Sequence, residues 1–370
     1  MNVLFLTAKP IHALVSSMLA SHFGRHVESH LLQASRREEF NDFAPKVPGF
    51  ESLAAVHTPG FGVRQSRAWG QRNERDFKII RREIDRASPS LVFVYSISKP
   101  LNLMVAEYAK DQHDAKVVFL EVSNSIYATL ASRKFGFLRR YLGRAPRLAQ
   151  VDQCAVRRPD DIPVWFHESH VVTTLPAGFF QQGVADRILA SCGVNSDALM
   201  ALEARKVIVY LGAAPGKENQ GPVRDAEARS IEELIRLCGK NGAALLYKPH
   251  PRMRGKLTLP ASSDIFQVAE DTSVPAELIP GLCEVAGAVA VDSSAAQNLS
   301  FFYGIPSAFL YPRLGLQRLC KPASSQEFLI WTAEDLDQFI GGCLSVGDGA
   351  PGQGSLSNDC RTWLSSHGLL

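Results

Sequence analysis

The sequence alternates short apolar segments, rich in β-branched residues, with longer segments of helical periodicity. Apolar runs that alternate with helices are typical of strands buried on both faces of a parallel sheet. In the first half of the chain such strand candidates are Val3–Thr7, Leu91–Ser96, Lys116–Leu120 and Val171–Leu175. The pattern predicts a doubly wound, Rossmann-like α/β domain over about residues 1–180.

A second series of strands and helices begins near residue 205. Its strand candidates are Val207–Leu211, Ala243–Tyr247, Ile265–Val268, Gly287–Val291 and Pro306–Leu310. Helical patterns cover about 225–239, 295–303 and 332–346. The series predicts a second Rossmann-like domain over 205–345, and we expect the tail 346–370 to return to the first domain.

Composition excludes several classes of protein. The chain has 370 residues, of which 46% are hydrophobic and 21% charged, as expected for a folded protein of two domains. A net charge of +3 gives no indication of a nucleic-acid partner. The seven cysteines form no CxxC pair, which argues against a zinc site or a disulfide scaffold. With no signal peptide and no long apolar run, we expect a soluble cytoplasmic chain.

The segment Leu246-Tyr247-Lys248-Pro249-His250-Pro251-Arg252 follows a predicted buried strand. Ligands of open α/β sheets bind at the carboxyl ends of strands, so His250 has a suitable position. Pro249 and Pro251 fix the backbone on both sides of this histidine. Together with Lys248 and Arg252, the imidazole suits phosphate binding and proton donation to a phosphate leaving group. The alternative is a turn in which His250 bonds a neighbour.

A second segment, Val289-Ala290-Val291-Asp292-Ser293-Ser294, runs from a strand into the start of a helix. Hydroxyl groups and N–H groups at a helix N-terminus bind anions. Asp292, Ser293 or Ser294 also suits the simpler role of helix cap, and the two roles are compatible. The sequence thus predicts that both segments bind one phosphate group.

Together with Tyr303-Gly304-Ile305-Pro306, these segments resemble the bacterial sialyltransferases and polysialyltransferases of GT-B type. The resemblance implies two Rossmann-like domains facing each other across a cleft. It implies that His250 contacts the phosphate of a CMP-sugar donor and assists its departure. It also implies that Pro251 shapes the loop and that Ser293 and Ser294 bind the phosphate.

The same families carry paired acids followed by glycine, which supply the base for the acceptor hydroxyl. The matching place here is Glu121-Val122-Ser123, which keeps only one acid. Glu121 at the carboxyl end of a strand suits a general base, and a salt-bridged glutamate is the alternative. Asp292 and Glu168 are weaker candidates for the base.

Two further features are less specific. Gly212 opens a loop after Val207–Leu211 that matches neither a dinucleotide fingerprint nor a P-loop. It suits either a donor contact or a plain connection between a strand and a helix. The segment Arg133–Arg144 mixes five cations with five large apolar residues. It suits peripheral contact with an anionic membrane at its cytoplasmic face, or a solvated helix packed on the domain.

Together with these residues, the resemblance implies an inverting, metal-independent and cofactor-free glycosyltransferase. Its donor would be a CMP-activated nonulosonic or ulosonic acid, and its acceptor a surface glycan or glycolipid of a capsule or lipopolysaccharide. A glycerophosphotransferase that uses CDP-glycerol is the nearest alternative, although Asp292 adjoins Ser293 without the usual tyrosine. A UDP-sugar transferase or epimerase and a catalytically inactive scaffold are the others.

Overall fold

The computed structural model describes residues 1–35, 38–58, 67–97, 99–122, 125–130, 150–177, 182–192, 202, 205–213, 220–250, 265–267, 274–316, 328–345 and 356–370. The chain divides into two compact units. The first unit comprises Met1–Ile188 and Gly354–Leu370, and the second comprises Leu189–Gln353. Each unit contains its own parallel sheet flanked by helices, which confirms the predicted fold class.

The sheet of the first unit is parallel in every described strand pair. Its strands are β1 (Asn2–Thr7), β2 (Glu28–Ser35), β3 (Ser52–His57), β4 (Leu91–Val94), β5 (Lys116–Leu120), β6 (Gln153–Val156) and β7 (Val171–Thr174). They lie in the order β3-β2-β1-β4-β5-β6-β7. From β1, the strands β2 and β3 are added on one side of the sheet, and β4 to β7 are then added on the other side. The strand order therefore reverses between β1 and β4.

The helices of this unit follow the strands, as the doubly wound pattern requires. They are Pro10–Ala20, Glu38–Asn41, Arg67–Ala87, Pro100–His113, Ser125–Leu130, Val164–His167 and Leu356–Ser366, with short 3₁₀ turns at Ala44–Lys46 and Pro159–Asp161. The helix Gln182–Ser191 contains the boundary between the units. After the last helix, the carbonyl of His367 accepts a 2.8 Å hydrogen bond from Lys116 Nζ, within the first unit.

The sheet of the second unit is also parallel in every described pair. Its strands are β8 (Val207–Leu211), β9 (Ala244–Lys248), β10 (Ile265–Gln267), β11 (Val285–Ala290), β12 (Ser307–Phe309) and β13 (Phe328–Leu329), in the order β10-β9-β8-β11-β12-β13. Its helices are Gln220–Lys240, Ser294–Tyr303 and Ala333–Ser345, with a 3₁₀ turn at Ala276–Gly281. Here the order reverses between β8 and β11.

The complete burial of the central strands of the second unit explains why the sequence predicts them. Every residue of Val207–Leu211 and Ala244–Lys248 is buried, because helices cover both faces of the central strands. At Gly287 a helix packs directly on the sheet, since a Cβ atom there would lie 2.7 Å from Cys343 Sγ. No helix in the described part of the chain has the length and apolarity needed to cross a membrane.

Candidate functional site

Three neighbouring strands bring the predicted phosphate-binding residues of the second unit to one edge. Lys248 ends β9, Gly212 follows β8, and Asp292 and Ser293 follow β11. The strands lie side by side in the order β9-β8-β11, so roughly 10 Å separates the two outer strands. The site therefore lies where the strand order reverses, the usual ligand position in open α/β sheets.

Gly212 allows the loop after β8 to approach the segment after β9. Its N–H donates a 2.9 Å hydrogen bond to the carbonyl of Lys248. A Cβ atom at this position would lie 3.0 Å from the backbone nitrogen of His250 and 3.4 Å from Pro249 Cα. A side chain here would push against backbone, which yields less readily than a flexible side chain. The glycine thus holds the Lys-Pro-His segment in place.

Lys248 and His250 differ in solvent exposure. Lys248 is only 4% exposed, and its ammonium donates a 3.3 Å hydrogen bond to the carbonyl of Pro249. It thereby braces the segment that carries the histidine, whereas Pro249 and His250 themselves are half-buried. Pro251 and Arg252 lie outside the described residues, so the roles given to them stay predictions.

Ser293 is the N-cap of the helix Ser294–Tyr303. Its backbone is extended, and its Oγ accepts a 3.2 Å hydrogen bond from the N–H of Ala295. Ser294 opens the helix and is exposed, and Asp292 is half-buried. The structure therefore shows Ser293 in the role of helix cap. The positive end of this helix still points to the same edge of the sheet.

Glu227, on the helix Gln220–Lys240, is a residue of this site that the sequence analysis missed. It is fully buried, and its Oε1 accepts a 2.6 Å hydrogen bond from the N–H of Ala213, next to Gly212. Burial raises the pKa of its carboxyl to about 7. Its Oε2 and the hydroxyl of Tyr210 are buried without a hydrogen-bond partner among the described residues. The sequence feature that could have identified Glu227 is an acidic residue on the apolar face of this helix, between Ala226 and Ile231.

Glu121, the predicted base, lies in the first unit and is fully buried at the end of β5. Its Oε1 accepts hydrogen bonds from Nε and Nη2 of Arg157, at 2.8 and 2.7 Å. Its Oε2 accepts the backbone N–H of Arg157 at 2.7 Å and the hydroxyl of Tyr127. These contacts match the salt-bridged alternative, since a carboxylate so bonded has little capacity left for a substrate proton. The role of base stays a prediction.

The remaining sequence candidates lie in the first unit or outside the described residues. Glu168 is exposed beyond the short helix Val164–His167 of the first unit. The mixed segment Arg133–Arg144 lies outside the described residues, and membrane contact through it stays a prediction.

Comparison with known proteins gives similarity of fold. No family model and no curated protein matches the sequence. Among solved structures, a UDP-N-acetylglucosamine 2-epimerase is 12% identical with a TM-score of 0.59, and covers 100% of this chain and 97% of its own. The Methanocaldococcus jannaschii UDP-GlcNAc 2-epimerase, in complex with UDP-GlcNAc and UDP, is 12% identical with a TM-score of 0.55. That match covers 99% of this chain and 100% of the other.

A third neighbour, the glycotransferase of kitacinnamycin, is 10% identical with a TM-score of 0.50 over 98% of this chain and 95% of its own. The chain has the GT-B fold. The fold that the sequence resemblance implies is thereby confirmed. None of these three neighbours is a sialyltransferase, so the family within the GT-B fold stays a prediction.

Proposed function

We propose that this protein is a glycosyltransferase that binds a nucleotide-activated sugar in its second unit. The observation that carries the proposal is the placement of Gly212, the segment Lys248–His250 and the start of the helix Ser294–Tyr303. They lie at the carboxyl ends of three adjacent strands, on both sides of the reversal in strand order. A sugar nucleotide presents a phosphate group to such an edge.

Each part of this edge has a chemical task in the proposed reaction. Departure of the nucleotide leaves negative charge on its phosphate, and the positive end of the helix stabilises that charge. The imidazole of His250 donates a hydrogen bond or a proton to the leaving phosphate. Gly212 keeps the backbone of the two loops close, so that the histidine is held rather than free to turn.

The proposed donor is a CMP-activated nonulosonic or ulosonic acid, and the proposed acceptor is a surface glycan or glycolipid. The Lys-Pro-His-Pro and Ser-Ser segments support this donor through their resemblance to the sialyltransferases. The transfer is proposed to invert the sugar configuration without a metal ion or a resident cofactor. The base that receives the proton of the acceptor hydroxyl is a separate assignment, tested by the Glu121 variants below.

A UDP-sugar is the second candidate donor. It is favoured by the fold similarity to an epimerase whose structure contains UDP-GlcNAc and UDP. CDP-glycerol, the donor of the related phosphotransferases, stays the third. These candidates differ in the nucleotide and in the group attached to it, so binding measurements separate them.

The test is calorimetric titration of the full chain with CMP, UDP and CDP-glycerol. His250→Ala is the site variant and His26→Ala, at an exposed position of the first unit, is the matched control. We expect CMP to bind, with affinity lost by about tenfold in His250→Ala and unchanged in His26→Ala. Binding of UDP alone would replace the CMP donor by a UDP-sugar, and preference for CDP-glycerol would indicate the phosphotransferase. Absence of binding by all three would overturn the proposal.

A further inference from the structure

The carboxyl of Glu227, next to the nucleotide site proposed for the second unit, forms no ion pair with a described residue. Its side chain is fully buried, and its single hydrogen bond among the described residues is the 2.6 Å bond that Oε1 accepts from the N–H of Ala213. A glutamate is almost never fully buried unless it is paired, because burial penalises the charged form. Since Ala213 directly follows Gly212, this acid contacts the loop at the carboxyl end of β8.

Two oxygen atoms of this region are buried without a hydrogen-bond partner among the described residues. They are Oε2 of Glu227 and the hydroxyl oxygen of Tyr210. Tyr210 is fully buried on β8, and the centre of its ring lies 6.1 Å from that of Tyr247 on the neighbouring strand β9. Burial, and after it the charge of Glu227, raises the pKa of both tyrosines, so the three side chains form one cluster. An ionised Glu227 would have one hydrogen bond where a carboxylate accepts several.

The two nearest cations of the described chain do not neutralise this acid. Arg224 lies about one turn earlier on the same helix, and its charge acts on Tyr247. Lys248 is the next residue of β9 after Tyr247, so its side chain leaves the strand on the opposite face of the sheet. Its ammonium bonds the carbonyl of Pro249. The groups that face Glu227 from β8 and β9 are therefore the two tyrosines, and neither of them carries a positive charge.

The titration of Glu227 agrees with this geometry. Burial raises the pKa of its carboxyl to about 7, and the N–H of Ala213 opposes that shift only in part. A tyrosine with a raised pKa stays neutral at pH 7, and an arginine stays charged. Within the cluster of Glu227, Tyr210, Tyr247 and Arg224, the charge that changes near neutral pH is therefore that of Glu227. A further negative charge nearby favours its protonated form.

We propose that Glu227 is a positioning residue of the nucleotide site, and that its carboxyl takes up a proton from solvent when the phosphate of the nucleotide binds. The inference rests on the proposed function. Oε1 holds the N–H of Ala213 in either charge state, and so holds the loop that begins at Gly212. A phosphate at the carboxyl ends of β8 and β9 repels an ionised Glu227, so phosphate and proton strengthen each other's binding. The alternative is a structural acid whose proton does not respond to the nucleotide.

The first test compares the affinity of the full chain for CMP at about pH 5.5 and about pH 8.5, measured by calorimetry. Glu227→Gln is neutral at every pH and keeps an oxygen for the N–H of Ala213. We expect the native chain to lose about tenfold more affinity over this interval than the variant, which should bind CMP more tightly at the higher pH. Ionisation of CMP itself is common to both proteins. Glu232→Gln, at an exposed position of the same helix, is the matched control and should behave as the native chain. A Glu227→Gln variant that binds no better than the native chain at either pH would overturn the proposal.

The second test follows the amide signal of Ala213 by NMR in the native full-length protein, labelled with ¹⁵N-alanine. We expect this signal to titrate near neutral pH without nucleotide, and saturating CMP to raise the midpoint by about one pH unit. This measurement uses the native chain, so it stands even if Glu227→Gln fails to fold.

The outcomes separate this inference from the proposed function. An Ala213 signal that does not titrate near neutral pH, or a midpoint that bound CMP leaves unchanged, overturns the role of Glu227 and leaves the nucleotide site intact. UDP replaces CMP as the probe if UDP is the nucleotide that binds. Absence of binding by CMP, UDP and CDP-glycerol overturns the proposed function and this inference together.

Discussion

The N–H of Gly212 donates a 2.9 Å hydrogen bond to the carbonyl of Lys248 and so joins the loop after β8 to the loop after β9. The two residues are distant in sequence but adjacent across the sheet, since Leu211 pairs with Lys248 in the parallel register. The next residue along, Ala213, donates its N–H to the buried Glu227. The backbone of the proposed phosphate site is thus held from two directions.

Gly212→Ala tests this close approach. The added Cβ would meet the backbone of His250 at 3.0 Å and the carbonyl of Lys248 at 3.4 Å. We expect a loss of about 1–3 kcal/mol in the free energy of unfolding, because the loops must separate. Urea denaturation measures it, and nucleotide affinity should fall with it.

The control for this substitution is Gly342→Ala. Gly342 lies in the helix Ala333–Ser345, and nothing lies within 4 Å of the position of its Cβ. Alanine should stabilise the helix by about 0.5–1 kcal/mol. Equal effects of the two substitutions would contradict the close approach at Gly212.

Ser293 and Ser294 should separate helix capping from ligand binding. Ser293→Ala removes the side chain that accepts the N–H of Ala295, and should reduce the free energy of unfolding by about 1 kcal/mol. Ser294 is exposed, so Ser294→Ala should leave stability within about 0.5 kcal/mol and weaken nucleotide binding instead. Thermal unfolding with and without nucleotide measures both effects. Unchanged nucleotide affinity in Ser294→Ala would count against a phosphate contact of this hydroxyl.

Glu227 should make stability depend on pH. Its pKa is raised to about 7 in the folded chain by burial, whereas in the unfolded chain it titrates near its ordinary value of about 4.3. Between these values the folded chain binds more protons, so the free energy of unfolding falls as pH rises through this window. The expected loss is on the order of 3–4 kcal/mol once pH exceeds both values.

Glu227→Gln removes this titration and keeps an oxygen acceptor for the N–H of Ala213. Urea denaturation at about pH 5 and about pH 8 should show that the variant loses less stability over this interval than the native chain. Parallel losses in the two proteins would show that another group governs the pH dependence.

Glu121 and Arg157 provide a test of the base assignment. Glu121→Ala removes the buried carboxylate that neutralises the guanidinium of Arg157, and should lower the free energy of unfolding by about 3–5 kcal/mol. The double variant Glu121→Leu/Arg157→Leu removes both charges and should recover most of this loss. Recovered transfer activity in the double variant would exclude Glu121 as base, whereas a stable but inactive double variant would support it.

The control for the buried pair is an exposed one. Lys240 and Asp337 lie 3.3 Å apart with side chains 59% and 46% exposed. Asp337→Asn should change the free energy of unfolding by no more than about 0.5 kcal/mol, since water screens such a pair. A large effect there would show that the unfolding measurement does not report burial.

The sequence predicted the central strands of both sheets, which are nearly continuous apolar runs, and missed β2, β3 and β6, which contain polar residues. β8, Val207–Leu211, was predicted with its observed bounds because both of its faces are buried under helices. β2, Glu28–Ser35, was missed because it buries Ser29, His30, Gln33 and Ser35 among its apolar residues. Its buried polar groups are placed by contacts with other strands, such as His30 Nδ1 with Ser52 Oγ at 2.8 Å, and no local pattern reports such contacts.

By itself the sequence determined the alternation of strands and helices, and with it the two doubly wound units. It also placed His250 and Ser293 at strand ends, because the hydrophobic pattern and the capping residues are local signals. Only the tertiary structure decided which strands are neighbours, and therefore that Gly212 supports the histidine segment. It alone paired Glu121 with Arg157 and buried Glu227. The reason is physical: burial, and the energetic effects that follow from it, depend on groups that are close in space and far apart in the chain.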